Sequence, residues 1–160
     1  MRIEKRLEEL GLVLPQPAKV PPGVKIQFAW VRVHGDRAYV SGHGPLNPDG
    51  APAGPFGQVG AQVSAEQAHT AARLTALAML SSLREALGDL DRISAWLMVS
   101  GMVSVAPGFA APTTNVINGC SEVLLEVFGL DVGTHARTAI GVTHLPLNLP
   151  VIIAAEVAVR

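Results

Sequence analysis

The sequence predicts an α+β domain in which two main helices cover one face of a mixed β-sheet. Three observations carry that expectation. Residues Phe28 to Gly42 alternate in character and turn at Gly35-Asp36, as a β-hairpin does. Ser64 to Leu87 is a long helix-forming run closed by Gly88. Apolar stretches near 93–105, 136–143 and 151–159 add three further strands, so strands outnumber helices.

Taken in order, Ile3 to Leu10 can form two helical turns with Ile3, Leu7 and Leu10 on one side, ended by Gly11. Pro15, Pro17, Pro21, Pro22 and Gly23 then force an extended course, so residues 1–27 read as a short helix and a proline-rich arm lying over the domain. In the hairpin, Ala29, Val31 and Val33 fall on one face, and Trp30, Arg32 and His34 on the other. Gly42, Gly44 and Pro45 end the return strand and leave the main chain open to close approach. Residues 48–60, with three prolines and four glycines, form a loop with room for one short strand.

Ser64 with Gln67 makes a capping box for the first long helix. Its stripe of Ala68, Ala71, Ala72, Thr75, Ala78, Met79 and Ser82 is narrow enough for the helix to sit close to a sheet. The strand after it offers a bend at Gly101. Thr113 or Thr114 can cap a second helix, which runs to Phe128 with Gly129 beyond it. Val116, Ile117, Cys120, Val123, Leu124, Val127 and Phe128 form its core face, with Glu122 and Glu126 outside that stripe.

A chain of 160 residues suits one domain, 1–160. With 49% hydrophobic and only 16% charged residues, some of its apolar surface is expected to be buried between subunits. The net charge of -1 gives no basic footprint for nucleic acid. A charged N-terminus and the lack of a long uninterrupted apolar span point away from a signal peptide and the membrane, so a cytoplasmic protein is expected. Cys120, the only cysteine, reads as a buried thiol.

The sequence carries no nucleophile elbow, phosphate-binding loop or zinc-protease helix. His34, His43, His69, His135 and His144 lack metal-ligand spacing, so neither metal nor cofactor is expected. His135 and Arg137 share a strand face, a poor arrangement for a cation. Arg137 stands among small and β-branched residues, where its planar fork either grips a carboxylate or pairs with a nearby structural acid.

Tyr39-Val-Ser-Gly-His-Gly-Pro45, Gly108-Phe109, Asn118, Val127-Phe128-Gly129 and the ending His135-Ala-Arg-Thr-Ala-Ile-Gly-Val-Thr-His-Leu-Pro146 resemble the Rid family, also called the YjgF-type or L-PSP family. The resemblance runs from about Phe28 to the end, and the N-terminal helix and prolines are similar to a longer branch of the family. It implies a chorismate-mutase-like fold, a homotrimer with clefts between subunits, and hydrolysis of 2-imino acids or enamines to 2-oxo acids and ammonia. Arg137 falls on the arginine that grips the substrate carboxylate, Ser41-Gly42 on the backbone beside the substrate, and Asn118 on an asparagine of the cleft.

Three positions depart from the founding branch: Ile152 replaces the glutamate that handles water, Phe28 replaces a tyrosine, and His43 replaces a glutamine. His43 is a candidate base if it points into the cleft. Glu156 is near Ile152 but out of alignment, and a register shift to bring it in is expected to turn alternate side chains to the other face. The resemblance implies an imine or enamine deaminase, or a small-carboxylate binder that has lost the chemistry. The ribonuclease label attached to parts of the family fits poorly with the acidic balance and the lack of paired acid and base residues.

Overall fold

The computed structural model describes residues 1–160. Helix α1 (Arg2–Glu9) precedes the hairpin β1 (Val31–His34) and β2 (Arg37–His43). Helix α2 (Ala65–Leu87), β3 (Ile93–Ser104), α3 (Thr113–Gly133), β4 (Ala136–Val142) and β5 (Val151–Val159) follow. The strands form one sheet in the order β1-β2-β5-β3-β4, in which only β3 and β4 run parallel. Helix α3 is the crossover that a parallel pair requires.

Local chemistry explains the boundaries. Ser64 Oγ accepts from the Gln67 amide while the Gln67 side chain accepts from the Ser64 amide, and Gly88 closes the helix at φ 79°. Neither threonine caps α3: Pro112 occupies the N-cap, and the Thr113 hydroxyl donates to the Ala139 carbonyl of β4. Gly129, at φ 76°, breaks the helix where the sequence placed its end, and one further turn follows. Helix α1 is capped from a distance, since the amides of Arg2 and Ile3 donate to the Asp91 carboxylate.

The segment after α1 is tied to the domain by the Gln16 and Lys19 amides, which donate to the Pro48 and Gly50 carbonyls, and by Ser81 Oγ, which donates to the Pro15 carbonyl. The 48–60 loop makes only isolated bridges, and no strand forms there. Strand β3 runs unbroken through Gly101, and its register shifts lie before Met98. Gly101 serves contact, because a Cβ there would stand 2.6 Å from Ile117 Cγ1 of α3. Helix α2 packs closely on α3, where a Cβ on Gly119 would stand 2.2 Å from the His69 carbonyl oxygen and 3.2 Å from Ala72 Cβ.

Burial assigns the two faces of the sheet. Trp96, Val99, Val103, Ile153 and Val157 are buried beneath α2 and α3 with Leu80, Leu83, Ile117 and Leu124. Each such aliphatic side chain contributes roughly 2 kcal/mol of transfer free energy. The opposite face carries Tyr39, Met98, Met102, Ile140, Ile152 and Ala154, and no helix covers it. Tyr39, Met98 and Ile140 are 41–50% exposed in the single chain, an apolar sheet face open to solvent.

Candidate functional site

Arg137 lies on β4 opposite Val99, which places its side chain on the helix-covered face. There, Nη1 donates to Asn118 Oδ1 at 2.8 Å and to Ser121 Oγ at 3.0 Å, and Nη2 donates to the Thr114 carbonyl at 3.2 Å. All three acceptors are neutral, and no carboxylate lies within ion-pair distance. Of the guanidinium's five N–H groups, Nε–H and one on Nη2 are left free. The charge is therefore held in place but not neutralised, and the nearby acids Glu122 and Glu126 are taken up by His69 and Arg73 instead.

Cys120 lies fully buried beside this cluster. Burial pushes its thiol up to about 12, against the opposing pull of the Arg137 charge.

The other sequence candidates gather elsewhere. Residues Ser41 and Gly42 form a bulge in the β2–β5 pairing, since Val40 faces Ala155 and His43 already faces Ile153. Gly42 then approaches Ile152 so closely that a Cβ would stand 2.8 Å from its Cγ2. Beside them opens a cavity of about 350 Å³ lined by Phe28, Trp30, Gly42, Leu149 and Ile152 and roofed by residues of the arm. Phe28, Gly42 and His43 thus line one pocket, while the Ser41 hydroxyl turns away to donate to the Ala29 carbonyl at 2.7 Å.

His43 belongs to the interior, at 3% exposure. Its Nδ1 lies 2.6 Å from the Ser41 carbonyl, which fixes the proton there, and Nε2 accepts from Ser82 Oγ at 2.8 Å. Desolvation lowers its pKa, opposed by the Ser41 bond, so the neutral ring is favoured. The expectation of a base pointing into a cleft meets a ring whose two nitrogens are already engaged. The bulge accounts for this: it resets the alternation, so His43 turns inward with Ala38 and Val40.

Ile152 and Glu156 lie on the same, uncovered face of β5. The register expectation was wrong in its geometry, because a displacement of four residues is even and preserves the face. What separates them is distance along the strand, about 13 Å at 3.3 Å per residue. Glu156 is moreover paired with Arg37.

Within one chain, the Arg137 cluster and the Phe28–Gly42–Ile152 pocket are separated by the sheet itself. Arg137 is aligned with Val99 and Ala155 on the helix face, whereas Ile152 is aligned with Met102 and Ile140 on the open face. Sequence reading missed Ser121, Thr114 and the part played by His135. Ser121 follows Asn118 by three residues, a helical spacing that puts both on one side, and that signal was available.

Comparison with known proteins agrees with this architecture. The YjgF/chorismate-mutase-like family model, which carries an endoribonuclease label, matches residues 5–157. Protein TCP17 of Trypanosoma cruzi is 36% identical over 156 residues, covering 98% of this chain and 93% of its own. The crystal structure of Atu1372 from Agrobacterium tumefaciens, a protein of unknown function, is 36% identical with a TM-score of 0.85 over 99% of this chain and 94% of its own. E. coli TdcF, crystallised with bound serine, shares the fold at 16% identity and a TM-score of 0.59, over 92% of this chain and 95% of its own.

Proposed function

This chain belongs to the YjgF/chorismate-mutase-like family, and from that premise we propose that it captures a small carboxylate-bearing metabolite, a 2-imino acid or its 2-oxo acid product, on Arg137. The observation that carries the reading is the state of the guanidinium. Three neutral acceptors hold it, no acid neutralises it, and Nε–H and one Nη2–H remain for a carboxylate.

The rest of the site is supplied by a neighbouring copy. A ligand on Arg137 of one protomer would place its body in the Phe28–Gly42–Ile152 pocket of the next, as in the homotrimer that the family resemblance implies. The uncovered apolar sheet face supports such an assembly, since packing copies against it buries Met98, Met102 and Ile140.

Hydrolysis of the imine to a 2-oxo acid and ammonia is the second reading, favoured by the Ser41–Gly42 bulge that brings main chain to the pocket edge. The imine carbon is already electrophilic, so orientation by Arg137 would supply much of the acceleration. Ile152 in place of an acid and the engaged ring of His43 weigh toward capture over turnover.

The test is to generate 2-iminobutanoate in solution and follow its loss with wild type, Arg137→Ala and a protein-free blank, alongside melting temperatures with 2-oxobutanoate. Faster loss with wild type alone supports turnover. A melting-temperature rise in wild type alone supports capture without chemistry. Equal behaviour of both proteins in both assays overturns the reading, as does a monomeric mass.

A further inference from the structure

A second histidine, which no part of the reading above uses, completes a chain of hydrogen bonds that ends on Arg137. His135 Nδ1 lies 2.7 Å from the Gly133 carbonyl, and His135 Nε2 lies 2.8 Å from Ser121 Oγ. Ser121 Oγ in turn lies 3.0 Å from Arg137 Nη1. A carbonyl only accepts, so Nδ1 carries the proton and the neutral ring presents Nε2 as an acceptor. The Ser121 hydroxyl must then donate to Nε2, because Arg137 has no acceptor to offer it. Its lone pairs are thereby turned to the guanidinium.

The geometry points to Ser121 and His135 as positioning residues for Arg137: His135 orients the Ser121 hydroxyl, which with Asn118 holds Nη1 and so fixes which N–H edge of the guanidinium is offered to a carboxylate. This rests on Arg137 being the carboxylate anchor. The physical need is plain. An arginine side chain has several rotatable bonds to immobilise, and anchoring Nη1 before the ligand arrives removes much of that cost from binding. Asn118 alone would hold one hydrogen of Nη1 and leave the other to water.

The sequence placement supports a dedicated arrangement. His135 sits two residues before Arg137, so both reach the same face, and Ser121 stands one helical turn beyond Asn118 on α3. Ser121, His135, Asn118 and Arg137 are all half-buried, where such bonds are less exposed to competition from water.

Two measurements test the proposal on the full chain. In the ligand-free protein at pH 8, nitrogen NMR of His135 should show protonated Nδ1 and unprotonated, hydrogen-bonded Nε2, and Ser121→Ala should remove that signature. Titration with 2-oxobutanoate should give about tenfold weaker binding for Ser121→Ala and His135→Leu. His135→Gln, which keeps an acceptor for the Ser121 hydroxyl, should bind within about twofold of wild type. Wild-type affinity in Ser121→Ala and His135→Leu, with loss only in Arg137→Ala, would overturn the positioning role and leave the anchor standing. Equal behaviour of wild type and Arg137→Ala would remove the anchor, and the positioning role with it. A protonated Nε2 in the free protein would overturn the relay whatever the affinities.

Discussion

Gly119→Ala tests the close contact of α3 with α2 beside the Arg137 cluster. The residue lies between Asn118 and Ser121 on α3, and an added methyl would stand 2.2 Å from the His69 carbonyl oxygen and 3.2 Å from Ala72 Cβ. Ordinary contact begins near 3.4 Å, so the helices must separate by about 1 Å, the difference between 3.4 and 2.2. The opposing atom is backbone within α2 and cannot rotate away. Overpacking of this kind costs about 1–3 kcal/mol, and rigid backbone puts the site near the upper end. Alanine recovers roughly 1 kcal/mol through helix propensity. The net is a loss of about 2 kcal/mol, or a fall of roughly 4–8 °C in melting temperature for a chain of this length. The assay is paired urea and thermal unfolding against Asn115→Ala, an exposed α3 position expected to change stability by less than about 0.5 kcal/mol. Because the displaced helix carries Asn118 and Ser121, 2-oxobutanoate binding should weaken as well. A variant as stable as wild type would refute the close helix contact, and one that is unstable yet binds normally would refute its link to Arg137.

Cys120 should resist a thiol-specific disulfide reagent at pH 8 in the native protein and react fully in urea, because its thiol is buried and pushed up to about 12; rapid native labelling would contradict that burial. His43 is held neutral when folded, with its pKa below the unfolded value, so its contribution to stability is present above about 6.5 and is lost as the pH falls, when the unfolded chain gains the proton. The slope of melting temperature between pH 7 and pH 5 should be shallower in His43→Gln, and an unchanged slope would count against a neutral buried ring. Ile152→Glu places a carboxylate in the pocket beside Gly42 and should speed loss of 2-iminobutanoate if the missing acid limits turnover. An unchanged rate would show that the acid is not what the site lacks.

Much of the fold was legible because its causes are local. The capping box at Ser64, the stop at Gly88, the hairpin turn at Gly35-Asp36 and the β5 alternation each depend on residues a few positions apart. At two places where a feature depends on a distant neighbour, the expectation failed. Gly101 seemed a bend and is a contact with Ile117, and the expected threonine cap of α3 is instead a bond from Thr113 to β4.

The candidate site divides along the same line. Sequence alone determined that Arg137 follows a helix bearing Asn118 and that His135 shares its face. Only the tertiary structure decided that Arg137 points under α3 while Ile152 and Gly42 open on the other side, that a bulge turns His43 into the core, and that Ser121 joins His135 to the guanidinium. The reason is that alternation tells which residues share a face, but pairing with strands far away in sequence decides which face it is.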